Sequence, residues 1–438
     1  MTAVPRPKRQ LHLAVNVLAG GVDWRLPGGF PKAFFDPAFY ARVAQTAERG
    51  LLDAAFMADN SFLHADGYPN SGLDPVITLA TMAQATSKIG VVGSYSTTFH
   101  EPYSIARVFA SLDHLSNGRA GWNVVTSRNK PEGLNYGFTE LPSRDARYKR
   151  AVETVEIVTQ LWDSWQPGAL VLDTASGVAV NRTLIKPINY VGEQLSCVGP
   201  LQLPPSRQGR PLITQAGGSD DGIDLAARFA DGVFTTSLYI EPAREYYTKL
   251  KTTAARYGRS PEQISVLPGI GLVIGSTEQE ARRRAADHAA LSGAPTGDPV
   301  AQFAKTIGVN PKDLIPDEPF PLELLKPTGD TYSSVGFDTS TRLYLERNRD
   351  LTVRELAARG RPASHRRIVG TPEQIADDFE EWFTTGAVDG FVLMLDTLPS
   401  GLDLFVEHVV PVLQQRGLFR REYAEDTLRE RFGVPYVR

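Results

Sequence analysis

The chain has 438 residues and a formal net charge of -4, with 46 Lys and Arg against 50 Asp and Glu. This near balance gives no basic footprint for nucleic acid, so we expect no nucleic-acid partner. No apolar run reaches the roughly 18 residues that indicate a membrane-spanning helix, and no membrane partner is expected either. The single cysteine, Cys197, excludes an intramolecular disulfide. It fits a reducing, cytoplasmic location.

Short apolar runs alternate with amphipathic segments along most of the chain, which is the pattern of repeated βα units around a parallel sheet. Eight strands are predicted, at residues 11–18, 53–59, 89–97, 119–126, 211–217, 232–237, 266–274 and 390–395. Each has a plausible following helix, and no Gly-x-Gly-x-x-Gly motif follows the first strand. We therefore predict an α/β fold of the (β/α)8 TIM-barrel type, a single domain over residues 1–438, rather than an open doubly wound sheet.

The ends of the first two predicted strands carry several polar or aromatic candidates. Asp59 follows a wholly apolar run, but a lone carboxylate at a strand end is more often a loop cap than a ligand. His64 lies on the following loop, and Trp24 and Arg25 follow the first strand. These three side chains could line a substrate pocket or simply pack their loops.

The third predicted strand ends at Thr97 and Thr98, and His100 follows it. Either threonine could reflect β propensity alone. An unperturbed imidazole has a pKa of about 6.5, which is within range for proton transfer at neutral pH. A helix-start residue that faces solvent is an equally good interpretation of His100.

The segment from Leu115 to Ser127 is the most informative part of the sequence. Asn117 and Gly118 form a helix-stop and turn signal, and the apolar run after them suits a strand that is covered on both faces. Polar side chains, among them Asn123, lie toward the end of that strand, where parallel barrels build their active sites. Asn123 could bind a ligand, or it could be a buried amide satisfied by the backbone.

A long helix is predicted at 145–164 from apolar residues that recur at helical spacing, with Asp145 positioned to start it. Arg144 and Tyr148 are four residues apart and share one helical face. The Tyr148 phenol could donate a hydrogen bond to a phosphate.

Gly217, Gly218 and Ser219 lie between the fifth predicted strand and a helix. The backbone N–H groups of such a loop sit at a helix N-terminus and bind phosphate well. The two glycines allow close approach, and Ser219 offers a hydroxyl. The alternative is a simple helix cap. The next two residues, Asp220 and Asp221, would repel an anion unless their carboxylates turn outward.

Two regions interrupt the alternation of strands and helices and are predicted to be insertions. Residues 165–210 are rich in Pro, Gly and short turns, and residues 293–365 read as loops between short helices. Loops of this length in a barrel are usually functional or disordered. The second insertion precedes the last strand and is a candidate active-site lid. The seven histidines show no metal-ligand spacing, so no metal site is predicted.

Six stretches of the sequence together resemble a known family: Ala47–Asp59, Thr97–Tyr103, Ala110–Ser127, Arg147–Tyr148, Gln215–Ser219 and Val409–Arg420. They are similar to the flavin-dependent monooxygenases of the bacterial-luciferase-like superfamily. The branch they resemble contains nitrilotriacetate monooxygenase, dibenzothiophene-sulfone monooxygenase and pristinamycin IIA synthase. The resemblance runs in family order from about residue 10 to the C-terminus.

The resemblance implies a two-component monooxygenase that uses FMN in its reduced form, FMNH2, supplied by a separate NAD(P)H:FMN reductase. O2 is the co-substrate, and one oxygen atom enters a small organic substrate through a flavin C4a-peroxide or hydroperoxide. The flavin carries this chemistry, and the protein orients the reactants and excludes water. The family commonly forms homodimers or homotetramers.

The resemblance also implies site residues. The flavin-binding positions correspond to Asp59, Thr98, Asn123, Arg144, Tyr148, Gly218 and Ser219, with the last four near the 5'-phosphate. His100 is the candidate catalytic residue. Many family members have histidine where this chain has Arg144, so a cationic donor remains but a proton-transfer role for that position is in doubt.

Three alternatives remain open at the level of the sequence. One is a related barrel oxidoreductase that uses deazaflavin F420 and transfers hydride without O2. Another is an enzyme that oxidatively cleaves a flavin or another heterocycle. The third is a flavin-binding protein without turnover.

Overall fold

The computed structural model describes residues 9–17, 35–63, 72–291, 298–325, 335–359 and 365–434. The strands are β1 (His12–Asn16), β2 (Ala54–Met57), β3 (Gly90–Ser96), β4 (Ala120–Val125), β5 (Leu170–Asp173), β6 (Val178–Val180), β7 (Tyr190–Val191), β8 (Ser196–Cys197), β9 (Leu212–Ala216), β10 (Gly232–Thr235), β11 (Ser265–Ile274), β12 (Arg366–Gly370) and β13 (Gly390–Leu395).

The α-helices are α1 (Pro37–Arg49), α2 (Pro75–Gln84), α3 (Pro102–Leu115), α4 (Lys130–Asn135), α5 (Arg144–Trp162), α6 (Asp220–Phe229), α7 (Ile240–Arg256), α8 (Glu278–Leu291), α9 (Pro299–Ile307), α10 (Val335–Arg347), α11 (Val353–Ala358), α12 (Pro372–Thr384), α13 (Ser400–Leu404), α14 (Val410–Gln415) and α15 (Leu428–Arg431). A π-helical turn, Phe405–Val409, joins α13 to α14. None of the helices in the described ranges is long and apolar enough to cross a membrane.

Eight parallel strands close into a barrel. Their order is β1, β2, β3, β4, β9, β10, β11 and β13, and β13 pairs with β1 to complete the ring. Each of the eight strands coincides with one of the eight predicted from apolar runs. The predicted (β/α)8 barrel is therefore confirmed.

A ninth strand, β12, extends the sheet beside β11. The first half of β11 pairs with β10, and its second half, Ile270–Ile274, pairs with β12. The sequence did not predict β12, because it begins with two arginines and only its last residue is fully buried. It lacks the continuous apolar run that marks a strand covered on both faces.

The region 165–210 contains two short antiparallel hairpins, β5 with β6 and β7 with β8. All four residues of β5 are exposed. Their lack of a buried face explains why no strand was predicted there, since a strand with no buried side gives no alternating pattern. The region holds no α-helix, as its composition indicated.

Two local predictions at helix ends have different outcomes. Asn117 and Gly118 have positive φ angles of 56° and 81°, which confirms the turn predicted between α3 and β4. The helix predicted at about 145–164 is confirmed as α5, but Asp145 does not cap it. Ser143 caps this helix by accepting a hydrogen bond from the backbone N–H of Ala146, which leaves Asp145 in the first turn, paired with Lys149 at 3.1 Å.

The N-terminal end of the barrel, called the bottom here, is closed by the C-terminal segment of the chain. Leu428 and Phe432 join the apolar core inside the strands, and the Phe432 ring stacks on His12 at a centroid distance of 4.5 Å. Arg429 donates to Asp231, and Arg431 donates to the backbone oxygen of Asp53. The opposite end, called the mouth, is thereby the end left for ligands.

Candidate active site

The candidate site residues that follow barrel strands lie on the mouth side. Asp59 follows β2, Thr98 and His100 follow β3, and Ser219 follows β9. This arrangement follows from the topology, because parallel strands in a closed barrel bring all their C-terminal ends to one face.

Ser219 and Tyr148 form a pair of hydroxyl groups at the N-terminus of α6. Ser219 caps this helix by accepting a hydrogen bond from the backbone N–H of Gly222 at 3.1 Å. Its Oγ also lies 3.5 Å from the phenolic oxygen of Tyr148 on α5. Ser219 is therefore the helix cap that one interpretation of the sequence gave, and its hydroxyl also faces the tyrosine that the sequence singled out.

The loop before Ser219 is tightly packed from below. A Cβ atom on Gly217 would lie 2.6 Å from the Gln215 side chain and 2.8 Å from the Gly222 Cα, so no larger residue fits there. The hydroxyl of Tyr246 donates to the Gly217 carbonyl at 2.8 Å. Gly218, by contrast, is exposed. The loop backbone is thus held in place while its outer surface stays open to a ligand.

Arg144 is engaged in an ion pair. Its guanidinium lies 2.8 Å from Asp221 and also stands over the Tyr148 ring, 5.7 Å from the centroid. Asp220 is paired with Lys249 at 2.6 Å. Each aspartate is therefore paired with a cation, which reduces its repulsion of an anion at the helix N-terminus. The pairing also engages the guanidinium of Arg144 that the sequence offered for the phosphate.

Asn123 belongs to a ladder of polar side chains across three barrel strands. Its Nδ2 donates to Ser94 Oγ at 2.8 Å, and its Oδ1 accepts from the Thr214 hydroxyl at 3.1 Å. The amide is buried and satisfied, by side chains of β3 and β9 rather than by the backbone. It supports the floor of the mouth through these two hydrogen bonds.

Asn16 is a further candidate residue at the mouth that the sequence did not point to. It ends β1 and is 7% exposed, and its Oδ1 is buried without a hydrogen-bond partner. The Gln215 Oε1 at the end of β9 is in the same condition. A buried unpaired acceptor is costly, so Asn16 Oδ1 at the mouth fits a polar ligand with an N–H donor, whereas the Gln215 side chain packs beneath Gly217.

Thr98 ties the ends of β3 and β4 together. Its hydroxyl donates to the carbonyl of Thr126 at 3.0 Å, and its backbone N–H donates to Ser96 Oγ at 3.1 Å. The side chain is buried. The hydroxyl oxygen of Thr98 can still accept a hydrogen bond, but the hydroxyl proton is already donated to Thr126.

His100 is half-buried rather than turned to solvent. The ring stacks on Tyr95 at 3.9 Å and contacts Tyr136 edge-on at 5.6 Å. Its Nδ1 lies 3.1 Å from the Ser96 carbonyl, which can only accept, so Nδ1 carries the proton and Nε2 is the basic atom. Burial lowers the pKa of His100, and we therefore expect a neutral ring at pH 7.

Asp59 belongs to a cluster, named here the carboxylate cluster, that consists of Asp59, Ser61 and Glu132. Ser61 donates its hydroxyl to Asp59 at 3.3 Å and its backbone N–H to Glu132 at 3.3 Å. Burial raises the pKa of both carboxyl groups, and the charge of Asp59 raises the pKa of Glu132 further. Ser61 and Glu132 were not anticipated, because nothing in the local sequence marks Glu132 as buried.

Some candidates cannot be placed. Trp24, Arg25 and His64 lie outside the described residues, as do parts of the segment 293–365. Across the ranges that are described, no group of three or more His, Cys, Asp or Glu side chains could hold a metal ion.

The sequence model of the luciferase-like monooxygenases matches residues 14–389, which is most of the barrel. The chain belongs to this family. The resemblance inferred from the sequence is therefore confirmed, together with the expectation that the protein is an enzyme, a flavin-dependent monooxygenase.

Individual relatives match over nearly their whole length. The chain is 40% identical over 439 residues to N-acetyl-S-(2-succino)cysteine monooxygenase of Bacillus subtilis (strain 168), covering 98% of this chain and 97% of the relative. It is 38% identical over 445 residues to nitrilotriacetate monooxygenase component A of Aminobacter aminovorans, covering 97% of each. The solved structure of EDTA monooxygenase from Chelativorans sp. BNC1 superimposes with a TM-score of 0.80 at 33% identity, over 98% of this chain and 99% of that one.

Proposed function

We propose that the protein is the oxygenase component of a two-component system that uses FMNH2 and O2 to insert one oxygen atom into a small organic substrate. The observation that carries the cofactor assignment is the pair of hydroxyls of Ser219 and Tyr148, 3.5 Å apart at the N-terminus of a ten-residue helix. Helix N-termini favour phosphate through free N–H groups and the helix dipole.

The other mouth residues suit a flavin ring. Asn16 Oδ1 is a buried acceptor that lacks a donor, and Asp59 and Thr98 present further acceptors on adjacent strand ends. Together with Asn123 below them, they would orient the ring by hydrogen bonds. When bound, reduced FMN would activate O2, deliver one oxygen atom to the substrate and leave the other as water.

We propose His100 as the residue that holds or moves a proton beside the flavin. Its neutral ring has Nε2 free of the backbone, because Nδ1 is used by Ser96. Its charge and that of Asp59 influence each other's pKa, so the two groups lie within electrostatic reach. A neutral imidazole in this position can accept a proton at neutral pH.

We propose that the substrate carries several carboxylates. The two relatives described above are named for N-acetyl-S-(2-succino)cysteine and nitrilotriacetate, and the structural neighbour is named for EDTA. All three compounds are polycarboxylates. In this chain Arg128 follows β4 at the mouth, where burial lowers its pKa and Asp338 is its main opposing charge. A partly desolvated guanidinium is a good receptor for a carboxylate.

We keep the segment 293–365 as the proposed lid. Its helix α10 contacts the barrel near the mouth, where Arg347 lies 3.3 Å from Glu241 and stands 4.0 Å over the Tyr239 ring. Asp338 on the same helix is the charge that acts on Arg128. Limited proteolysis tests this proposal: flavin or substrate should protect the segment, and equal cleavage with and without ligand would refute it.

The proposed partner is an NAD(P)H:FMN reductase that acts transiently or through diffusing FMNH2. The nitrilotriacetate relative is named as one component of its enzyme, and pristinamycin IIA synthase occurs among the relatives as two separate polypeptides. Both observations support a multi-component system. A homodimer or homotetramer remains a prediction that sedimentation would test.

The cofactor assignment is tested by a double substitution, Ser219→Ala with Tyr148→Phe. If each hydroxyl donates a charge-assisted hydrogen bond to the phosphate, FMN binding should weaken by about 2 to 4 kcal/mol. Riboflavin, which lacks the phosphate, is the matched control, and its affinity should hardly change. Unchanged FMN affinity in a fluorescence titration would remove the phosphate site from this position.

The activity itself is tested by oxygen consumption with added FMN reductase and NADH. Polycarboxylates, sulfones and alkanes are the candidate substrates, and product is scored by a mass gain of one oxygen atom. Turnover with reduced F420 but not with FMNH2 would instead favour the hydride-transfer alternative.

A further inference from the structure

Glu132 is a buried carboxylate that has no part in the proposed flavin binding or proton transfer. It lies in the short helix α4 and is 4% exposed. Its carboxylate accepts hydrogen bonds from the backbone N–H of Ser61 at 3.3 Å and from the Ser127 side chain. It pairs with no Lys or Arg among the residues that the structure describes. A buried acid without a cation is expensive to retain, so a purely structural role would be better served by a neutral residue.

Ser61 connects Glu132 to Asp59. Its backbone N–H is held by Glu132, and its hydroxyl donates to Asp59 at 3.3 Å. The Tyr136 hydroxyl donates to Ser61 Oγ at 3.1 Å, and the Asn135 side chain donates to the Ser61 carbonyl at 2.7 Å. With all three of its polar groups engaged, Ser61 has little freedom. The orientation of Asp59 is therefore fixed from the α4 side.

The charged groups around the carboxylate cluster shift the pKa of Asp59 in opposite directions. Asp74, before α2, raises the pKa of Asp59, and His100 after β3 lowers it. Asp59 in turn raises the pKa of Glu132. No other charged group acts on Glu132 in the part of the chain that is described.

We propose that Glu132 is a positioning residue that holds Asp59 toward the cofactor through the two hydrogen bonds that Ser61 donates. This proposal rests on the proposed function for its cofactor. Because both carboxyl groups accept from Ser61 and the charge of Asp59 raises the pKa of Glu132, we expect the two groups to lose their protons in two steps.

The sign of the pH effect follows from the charges. Asp59 accepts hydrogen bonds from the flavin best as a carboxylate, so protonation of the pair should weaken FMN binding at low pH. Removing the negative charge of Glu132 should make Asp59 easier to ionise. The midpoint of the FMN affinity profile should then move to lower pH.

Two substitutions separate the charge of Glu132 from its hydrogen bonds. Glu132→Gln keeps an oxygen that can accept from Ser61 and Ser127, so FMN affinity at pH 8 should stay close to that of the wild type while the midpoint falls. Glu132→Ala also releases Ser61, and FMN affinity should fall about tenfold at every pH, the equivalent of one lost hydrogen bond. Glu140→Gln, an exposed neighbour, is the control and should match the wild type.

Carbon-13 NMR of the labelled carboxyl groups gives a readout that does not require flavin. The Asp59 signal, assigned by Asp59→Asn, should titrate in two steps in the wild type and in one step in Glu132→Gln. If Asp59 titrates identically in Glu132→Gln and Glu140→Gln, the coupled pair is refuted. If Glu132→Ala binds FMN as tightly as the wild type, the positioning role is refuted. If the wild type binds no FMN at all, the proposed function falls, whereas the two-step titration would still be seen.

Discussion

The bottom of the barrel surrounds its buried carboxylates with cations. Asp53 is fully buried, with Arg420 at 2.7 Å and His12 at 3.2 Å. Burial alone would raise the pKa of Asp53, but Arg420, His12 and Arg431 outweigh it and hold the pKa well below its usual range. Lys251 and Arg9 lie near the buried Asp389, and their charges lower its pKa in the same way.

The carboxylate cluster at the mouth lacks such compensation. Asp59 and Glu132 are both desolvated, and the pKa of each is raised. Within the described ranges, the only cationic group that acts on Asp59 is His100, whose own pKa is lowered by burial. Asn16 Oδ1, a buried acceptor without a hydrogen-bond partner, lies at the same end.

The two ends of the barrel therefore differ in what their buried carboxylates do: those at the bottom stabilise the fold, and those at the mouth belong to the candidate site. Ion pairs between a carboxylate and nearby cations hold the bottom closed, and removing one partner of such a pair is costly. At the mouth, where barrels of this kind bind their substrates, Asp59 and Glu132 pair with no Lys or Arg in the described residues. The comparison makes four predictions, taken from the largest expected effect to the smallest.

The largest effect should come from breaking the Asp53 pair at the bottom. Arg420→Met leaves Asp53 buried with weaker compensation, and we expect a loss of about 3 to 5 kcal/mol in the free energy of unfolding at pH 7. In the wild type the pKa of Asp53 is depressed by folding, so its stabilising contribution is present above the unfolded pKa and is lost as the pH falls. Because Asp53 can take up a proton more easily once Arg420 is gone, the penalty should be smaller at pH 4 than at pH 7.

Urea denaturation at the two pH values measures this penalty. Arg421→Met, at the exposed neighbouring position, is the control and should change the free energy of unfolding little. Equal stability of Arg420→Met and Arg421→Met would contradict the role given to the bottom ion pairs.

The second prediction concerns Asp113, which is the exception at the bottom. Its carboxylate is fully buried. It accepts hydrogen bonds from the Ala120 N–H at 3.0 Å, from Gln208 Nε2 at 2.6 Å and from the Ser206 hydroxyl. No arginine or lysine forms an ion pair with it in the described chain. Burial raises its pKa to about 6. The folded state thus binds a proton more tightly than the unfolded state, and stability should fall as the pH rises from about 4 to about 6, by roughly 3 kcal/mol.

Asp113→Asn should remove this fall, because the amide cannot ionise and can still accept from Ala120 and Gln208. Urea denaturation at several pH values between 4 and 7 provides the measurement. The same slope in wild type and mutant would show that another group carries it.

The barrel itself could be predicted because its strands are covered on both faces and read as continuous apolar runs. The strand β12 and the hairpins of 165–210 could not, because their exposed faces and charged residues carry no such pattern. The pairing of Asp53 with Arg420 joins residues 367 positions apart. No local pattern contains that information.

The candidate site could be predicted only in part, because contacts between segments far apart in the chain leave no local pattern in the sequence. Ser219 was placed by the glycine-rich turn and the helix that follows, and Tyr148 by its helical face, but their approach depends on how α5 packs beside α6. Glu132 stands in a short Pro- and Gly-containing segment with no apolar periodicity. Its burial is set by the tertiary position of that segment and not by its neighbours in sequence.

The third prediction tests the uncharged histidine at the mouth. His100→Asn should slow oxygenation about a hundredfold if Nε2 takes part in proton transfer, while FMN affinity stays unchanged because the proposed phosphate site lies at α6. Single-turnover rates measured across pH would show this. His408→Asn, at an exposed position, is the control. Equal rates and equal product yield in the two variants would make His100 a bystander.

The smallest effect on stability should come from replacing Asp59, the buried carboxylate at the mouth. Asp59→Asn replaces a desolvated carboxylate that pairs with no Lys or Arg in the described residues, and we expect the free energy of unfolding at pH 7 to rise or to change by less than about 1 kcal/mol. The raised pKa of Asp59 means that the folded state binds protons more tightly, so the carboxylate lowers stability as the pH rises above its unfolded pKa. The substitution should remove that loss.

FMN titration and urea denaturation of Asp59→Asn, with Asp53→Asn measured alongside, complete the test of the two ends. Asp59→Asn should bind FMN more weakly without losing stability, and Asp53→Asn should lose stability, because Arg420 and Arg431 would then be left facing a neutral amide in a buried place. Comparable destabilisation by the two substitutions would mean that the mouth is as fully compensated as the bottom. The unpaired groups there would then need an explanation other than a ligand.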